Sequence, residues 1–193
     1  MVNNGTRLNE SRVQLSDSLM RRRALHFAGH AVVATLEEIP VEHMRLNEDG
    51  CVFLNRSGPR FIDPGVMLDL PDRWPYVTFD RAKLAESIVR IALAGPITEQ
   101  TAGGRPLDLR EICSDKVDWG LAWNTASRLW GDVDERLTYV ATQSFRLERA
   151  IKFDLCSYAI RLISESLLRE RSLDRGQVSA LFERAREATR EEW

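Results

Sequence analysis

Two histidines four residues apart, His26 and His30, lie inside an unbroken helical pattern, Arg21 to Glu38 (RRRALHFAGHAVVATLEE). On a helix that spacing puts both imidazoles on one face, one turn apart, where they can reach a single metal ion. Leu25, Ala28, Val32 and Leu36 follow the i, i+3, i+4 rule and lay an apolar stripe beside the histidine face. Gly29 falls in the helix interior, where glycine is roughly 1 kcal/mol worse than alanine. Its presence predicts that another part of the chain packs close against the backbone there. In zinc peptidases the same histidine pair occurs as HExxH, with the glutamate as general base. Here Phe27 occupies the glutamate position.

His26, Ala28, Gly29, His30, Ala31 and Ala34 match the pattern HEAGHAxxA, and the stretch resembles the active-site helix of the FtsH family of ATP-dependent zinc metallopeptidases. Three further stretches are similar in the same order. ESIVRIALAGPITEQ resembles the family's IAVLLAGRAAEE helix, with Ala94, Gly95 and Glu99 in place and Pro96 as a departure. SDKVDWGLAWNTASRLW stands where the family has SNDLxxATxxAR, and LLRERSLDRGQVSALF resembles ALLEKETLDGEEV. The resemblance covers roughly residues 20–185 and implies a zincin-like fold, mainly α with a small β-hairpin. It also implies bound zinc.

A catalytic zinc usually takes three protein ligands and a water, so two histidines need a partner. In the resembled family that partner is an aspartate at the start of a downstream helix, and the candidates here are Asp115 and Asp118. Matching Asp118 keeps Ala122, Asn124 and Ala126 at small or polar positions, whereas matching Asp115 breaks the spacing. Asp118 also shares a helix face with Ala122, Thr125 and Leu129, and a carboxylate on an apolar face needs a cation or donors. Either aspartate also suits a helix N-terminus through the helix dipole. The expectation is that Asp118 completes a His26, His30, Asp118 zinc site and that Asp115 serves the helix end.

The 193 residues are 44% hydrophobic, enough for a core, and 29% charged with a formal net charge of -2. That balance suggests neither a nucleic-acid partner nor a membrane surface. The three cysteines, Cys51, Cys113 and Cys156, form no CxxC and fit free thiols in a reducing compartment. No apolar run reaches the roughly 20 residues of a membrane span, and the polar first residues do not read as a signal peptide. A cytoplasmic location is expected. The family's membrane helices and AAA module are not evident, and no GxxxxGK[ST] loop occurs. The chain therefore reads as a protease-type domain alone, any ATP dependence coming from another chain.

Residues 1–14 read as a polar, mobile tail, and residues 15–193 as the domain. Ser16 or Ser18 would cap the first helix, and Pro40 stops it near Glu38. Residues 42–47 and 51–55 form two strand candidates around an Asn47–Gly50 turn. His43 falls there and is read as structural. Residues 56–77, rich in proline and glycine, read as a long loop beside the substrate groove or as a surface insertion. Asp80 would cap a helix over 81–94 that Pro96 interrupts or kinks, and Gly103-Gly104-Arg105-Pro106 is a break. Ser114 would cap a helix to Trp130. Residues 134–171 form a long helical pattern with an expected break at Phe153-Asp154, its halves a hairpin or kinked pair. Ser172-Leu173-Asp174 starts the last helix, where Asp174 and Gln177 form a capping box.

Zinc would polarise a carbonyl and acidify a water, but Phe27 can take no proton, and losing a positioned base forfeits about 10²–10⁴-fold. Glu37 and Glu38 lie two to three turns further along the helix. Glu99 can approach in the fold, although its family counterpart belongs to the scaffold. The leading expectation is a metal-binding but peptidase-deficient domain that serves as an interaction or substrate-binding module. Its partners would be unfolded polypeptide or another protein, with a homo-oligomer open. The alternatives are a working metallopeptidase that recruits another acid or base, and a metal-free helical interaction protein.

Overall fold

The computed structural model describes residues 4–46, 61–63, 66–68 and 78–190. The elements in chain order are α1 (Asn4–Leu36), β1 (Val41–Arg45), β2 (Phe61–Asp63), β3 (Val66–Leu68), α2 (Thr78–Ala102) and α3 (Leu109–Ser114). They continue with α4 (Lys116–Ala126), α5 (Val133–Ile151), α6 (Asp154–Glu170), β4 (Ser172–Asp174) and α7 (Arg175–Arg190). The fold is mainly helical with one small antiparallel sheet of strand order β2-β3-β1-β4.

The first helix is longer than its sequence signals suggest. It begins at Asn4, so Ser16 and Ser18 lie inside it and residues 4–14 continue the helix rather than form a tail. No proline occurs between Asn4 and Leu36, so nothing in that polar stretch breaks the hydrogen-bond ladder. Its C-terminus closes as a Schellman motif with Glu38 left-handed at φ 59°. Ile39 N–H donates to Ala34 O at 2.9 Å and Glu38 N–H to Thr35 O at 3.1 Å. Pro40 follows, as expected.

α2 corrects a second expectation. It starts at Thr78, ahead of Asp80, and runs through Pro96 to Ala102. A proline in a helix interior is about 3 kcal/mol unfavourable. Packing outweighs that here, because Ile91, Ala92, Leu93, Ala94 and Ile97 are all completely buried. The helix ends where the glycines predict, with Gly104 left-handed at φ 65°.

The last part of the chain follows its signals closely. α5 and α6 are separated at Lys152-Phe153, as the expected break requires. Ser172-Leu173-Asp174 forms strand β4 on β1 before α7 begins, so it is not itself the first helical turn. The capping box is present: Asp174 N–H donates to Gln177 Oε1 at 2.8 Å, and Gln177 N–H to Asp174 Oδ1 at 2.9 Å. Residues 56–77, read as a loop, contain β2 and β3. β3 pairs with β1 through His43↔Met67 and Met44↔Val66. The 51–55 strand candidate, the Asn47–Gly50 turn and Cys51 lie outside the described residues. Cys113 is exposed, Cys156 is buried, and both are free thiols.

α1 packs along α2 and α6, α2 also carries α4 and α5, and α7 covers α6. The core runs through the middle of this arrangement, where Ala28, Val32, Ile91, Ile163, Leu167 and Phe182 are almost fully buried. Ala28 and Val32 of the predicted apolar stripe lie there, while Leu36 is 44% exposed at the helix end. No described helix is long and apolar enough to cross a membrane.

Candidate metal centre

The close approach that Gly29 predicts is the contact between α1 and α2. A Cβ at Gly29 would meet the Thr98 hydroxyl and stand 2.8 Å from the Ala94 backbone oxygen, so only glycine lets the two helices come this near. Between Ala94 and Thr98 on α2, Gly95 faces the histidines. A Cβ there would lie 2.5 Å from His30 Nε2 and 2.6 Å from His26 Nε2. The two glycines together bring the backbone of α2 onto the histidine face of α1.

α4 closes the group from the other side. Asp115 is its N-cap, and its Oδ1 accepts from the N–H groups of Val117 and Asp118, each at 3.2 Å. The expected cap, Ser114, instead ends α3. The cap places Asp118 in the first turn of α4, pointing inward with Ala122 and Thr125, and Asp118 is fully buried. Its Oδ2 lies 2.9 Å from His26 Nε2 and 3.3 Å from His30 Nε2, and the two Nε2 atoms are 3.0 Å apart. The structure thus brings together all three residues expected to bind metal. They are the one group of three metal-ligating side chains found among the described residues. His43, on β1, stands outside it, and Asp115 serves the helix end.

The outer faces of the imidazoles fix their protons. His26 Nδ1 lies 3.0 Å from Glu99 Oε1, and His30 Nδ1 lies 2.6 Å from the Ile91 carbonyl oxygen. Carboxylates and carbonyls only accept, so each Nδ1 must carry the hydrogen and donate it. A neutral imidazole with its proton on Nδ1 presents a bare lone pair at Nε2. Two lone pairs and a carboxylate oxygen therefore converge at about 3 Å in a dry interior, and neither Asp118 oxygen accepts a hydrogen bond from a described residue. Three electron-rich atoms so placed can hold a metal ion between them. Burial pushes the Asp118 carboxyl up; without an ion, only imidazoles that donate to it outweigh burial and hold it at about 2, and with bare Nε2 atoms a metal ion would take that part. The donor set fits a metal ion. An ion about 2 Å from each atom would sit over this triangle, with the outer hydrogen bonds orienting both histidines as in other metal sites.

Glu99 is the residue whose role the sequence reading left open. It accepts from His26 on one oxygen and pairs with Arg22 through the other. Burial raises its pKa, but His26 and Arg22 together bring it below the ordinary value. It is 73 residues from His26, and the available signal was the Gly95–Glu99 spacing, which puts both on one face of α2. Phe27 turns into the core, 8% exposed, with its ring edge-on to His26 at 5.9 Å between centroids.

Comparison with models of known protein families gives no match to this chain, and neither does comparison with curated proteins. What fold and site define is a helical domain with a buried His26, His30, Asp118 group that can hold a metal ion.

Proposed function

We propose that this chain is a zinc-binding domain resembling the FtsH protease domain that has lost peptidase chemistry and acts as a module for holding unfolded polypeptide or another protein. The observation that carries the metal part is the convergence of two bare Nε2 lone pairs and Asp118 Oδ2 within 3.3 Å. Two imidazoles and a carboxylate are an ordinary zinc donor set. When bound, zinc would supply Lewis acidity and a more acidic water.

Among the described residues, none is placed to partner that chemistry. The general-base position is Phe27, packed in the core. Glu99 bonds His26 at Nδ1, on the side of the ring away from Nε2, and is shared with Arg22. Glu37 is held by Arg90 and Ser87. Asp118 is a ligand. The depth of the ligands argues the same way, since His26 is 5% exposed and the other two are fully buried. Catalytic zinc sites keep an open position that substrate can reach.

The test is metal analysis and peptidase assay on one preparation purified without added metal. Zinc at about one ion per chain, lost in His30→Ala, with no chelator-sensitive cleavage of unfolded protein, is the expected result. Metal-free protein under several conditions would favour the metal-free helical alternative. Chelator-sensitive cleavage lost in His26→Ala would establish the working peptidase instead. The holding role is read separately, by whether the zinc-loaded chain retards aggregation of an unfolded protein.

A further inference from the structure

A cavity of about 720 Å³ opens between α1, α2, α6 and the end of α5. Its floor is apolar, built by Leu25, Ile160 and Leu168, and its rim carries three cations, Arg21, Lys152 and Arg161. Glu165 is the single carboxylate among the lining residues, so this face is locally positive on a chain of formal net charge -2. Buried Thr98 also lines the cavity, and its hydroxyl makes no hydrogen bond to a described residue. The volume falls within the range of small-molecule sites, and an apolar floor with a few convergent polar groups is their usual build.

The walls decide between occupants. They come from helices, whose backbone groups are paired internally, so an extended peptide would find no strand edge to pair with. An alkyl chain needs only the floor. Lys152 is paired with Glu148 at 2.7 Å, whereas Arg161 lies over the Tyr158 ring at 4.7 Å, a stacking that leaves guanidinium edges to bind a carboxylate. We infer that this cavity binds a free medium-chain fatty acid, its alkyl chain on the Leu25, Ile160 and Leu168 floor and its carboxylate on Arg21 and Arg161. None of the metal ligands takes part, so this site and the metal site stand or fall separately.

The experiment is calorimetric titration of the chain as purified with decanoate, and with decanol as the uncharged control. Decanoate should bind saturably, and decanol roughly tenfold or more weaker, since only the former makes charge-assisted bonds. The Arg21→Gln/Arg161→Gln double variant should lose roughly tenfold or more for decanoate while decanol is unaffected. Thr101→Trp, which fills the cavity from the last turn of α2, should abolish both. Circular dichroism and thermal unfolding identify variants that keep the fold, and the comparison is made on those. Equal affinity for decanoate and decanol, or wild-type affinity in either variant, would overturn the inference. So would binding only to anionic lipid vesicles, which would make the rim a membrane contact, or displacement of decanoate by an acidic apolar peptide.

Discussion

A methyl group at position 95 would stand 2.5 and 2.6 Å from the two Nε2 atoms, inside the space an ion needs. Gly95→Ala improves helix propensity by roughly 1 kcal/mol, yet the expected outcome is loss of zinc with all three ligands unchanged. Metal content and thermal unfolding read together check this: a variant that keeps stoichiometric zinc would show that the ion does not lie against α2. Phe27→Glu restores the letters of HExxH without their setting. The ring is part of the core, and removing a buried phenylalanine destabilises by about 3–5 kcal/mol. Burial would also raise the pKa of the new carboxyl and keep it protonated. Denaturant unfolding should show that loss, and cleavage should remain absent; a stable, zinc-loaded variant that cleaves unfolded protein would contradict it. Histidine spacing, the glycine at 29 and the odd carboxylate at 118 were legible in the sequence because each breaks a local rule of its own helix. Glu99 was not assignable, because its partner lies across the α1–α2 packing and its spacing from Gly95 gives a face but no partner.

Asp115 shows how an element carries the site. Its carboxylate caps α4 and bonds the Asp118 N–H, so it sets where Asp118 begins its turn. Asp115→Ala should cost about 0.5–2 kcal/mol of stability and weaken zinc binding although no ligand is touched. Asp115→Asn, a comparable cap, should restore both, and competition with a metal indicator reads the affinity. α1 and α2 are tied a second time at Glu37, which accepts from Arg90 Nε at 2.6 Å and Nη2 at 2.5 Å and from Ser87 Oγ at 2.7 Å. Burial pushes the Glu37 pKa up, but Arg90 and Ser87 outweigh it and hold it below the ordinary value of 4.5. A carboxylate with a lowered folded pKa adds stability above its unfolded value and loses it as pH falls through the folded one. Unfolding scans below about pH 4.5 should therefore show a steeper acid loss in wild type than in Glu37→Gln, and parallel curves would remove Glu37 from the account. The helix-forming stretches were readable from periodicity, and the α7 capping box from its two residues. Start and stop signals were less informative: Pro96 lies within a helix because α2 is buried nearly all round, and β3 and β4 are three-residue strands that pair with β1 across long stretches of chain.

At the scale of the molecule, the metal group joins α1 to α4, while the bonds that orient its histidines reach α2. The histidines of α1 meet Ile91 and Glu99 across 61 and 73 residues of chain, and Asp118 lies further on still, so no such site exists in the unfolded chain. Binding free energy then becomes folding free energy. An ion at roughly a thousand times its Kd stabilises by about 4 kcal/mol. For a chain of this size each kcal/mol moves Tm by about 2–4 °C, so chelation should lower Tm by roughly 10 °C. Two controls make the shift specific. Asp118→Asn should melt below the zinc-loaded wild type and show no response to chelator, because it has no ion to lose. Glu99→Gln keeps a group that can accept from His26 but removes the charge that strengthens the imidazole as a ligand, so its chelator-induced shift should persist and begin at lower chelator concentration. An equal melting temperature with and without chelator, in protein shown to be zinc-loaded beforehand, would mean that the helices close on one another without the ion. The buried carboxylate would then have to be neutralised by protons on the histidines. That state is distinguishable by adding metal back, since zinc-held stability returns with the ion and falls as pH drops and protons compete for the ligands.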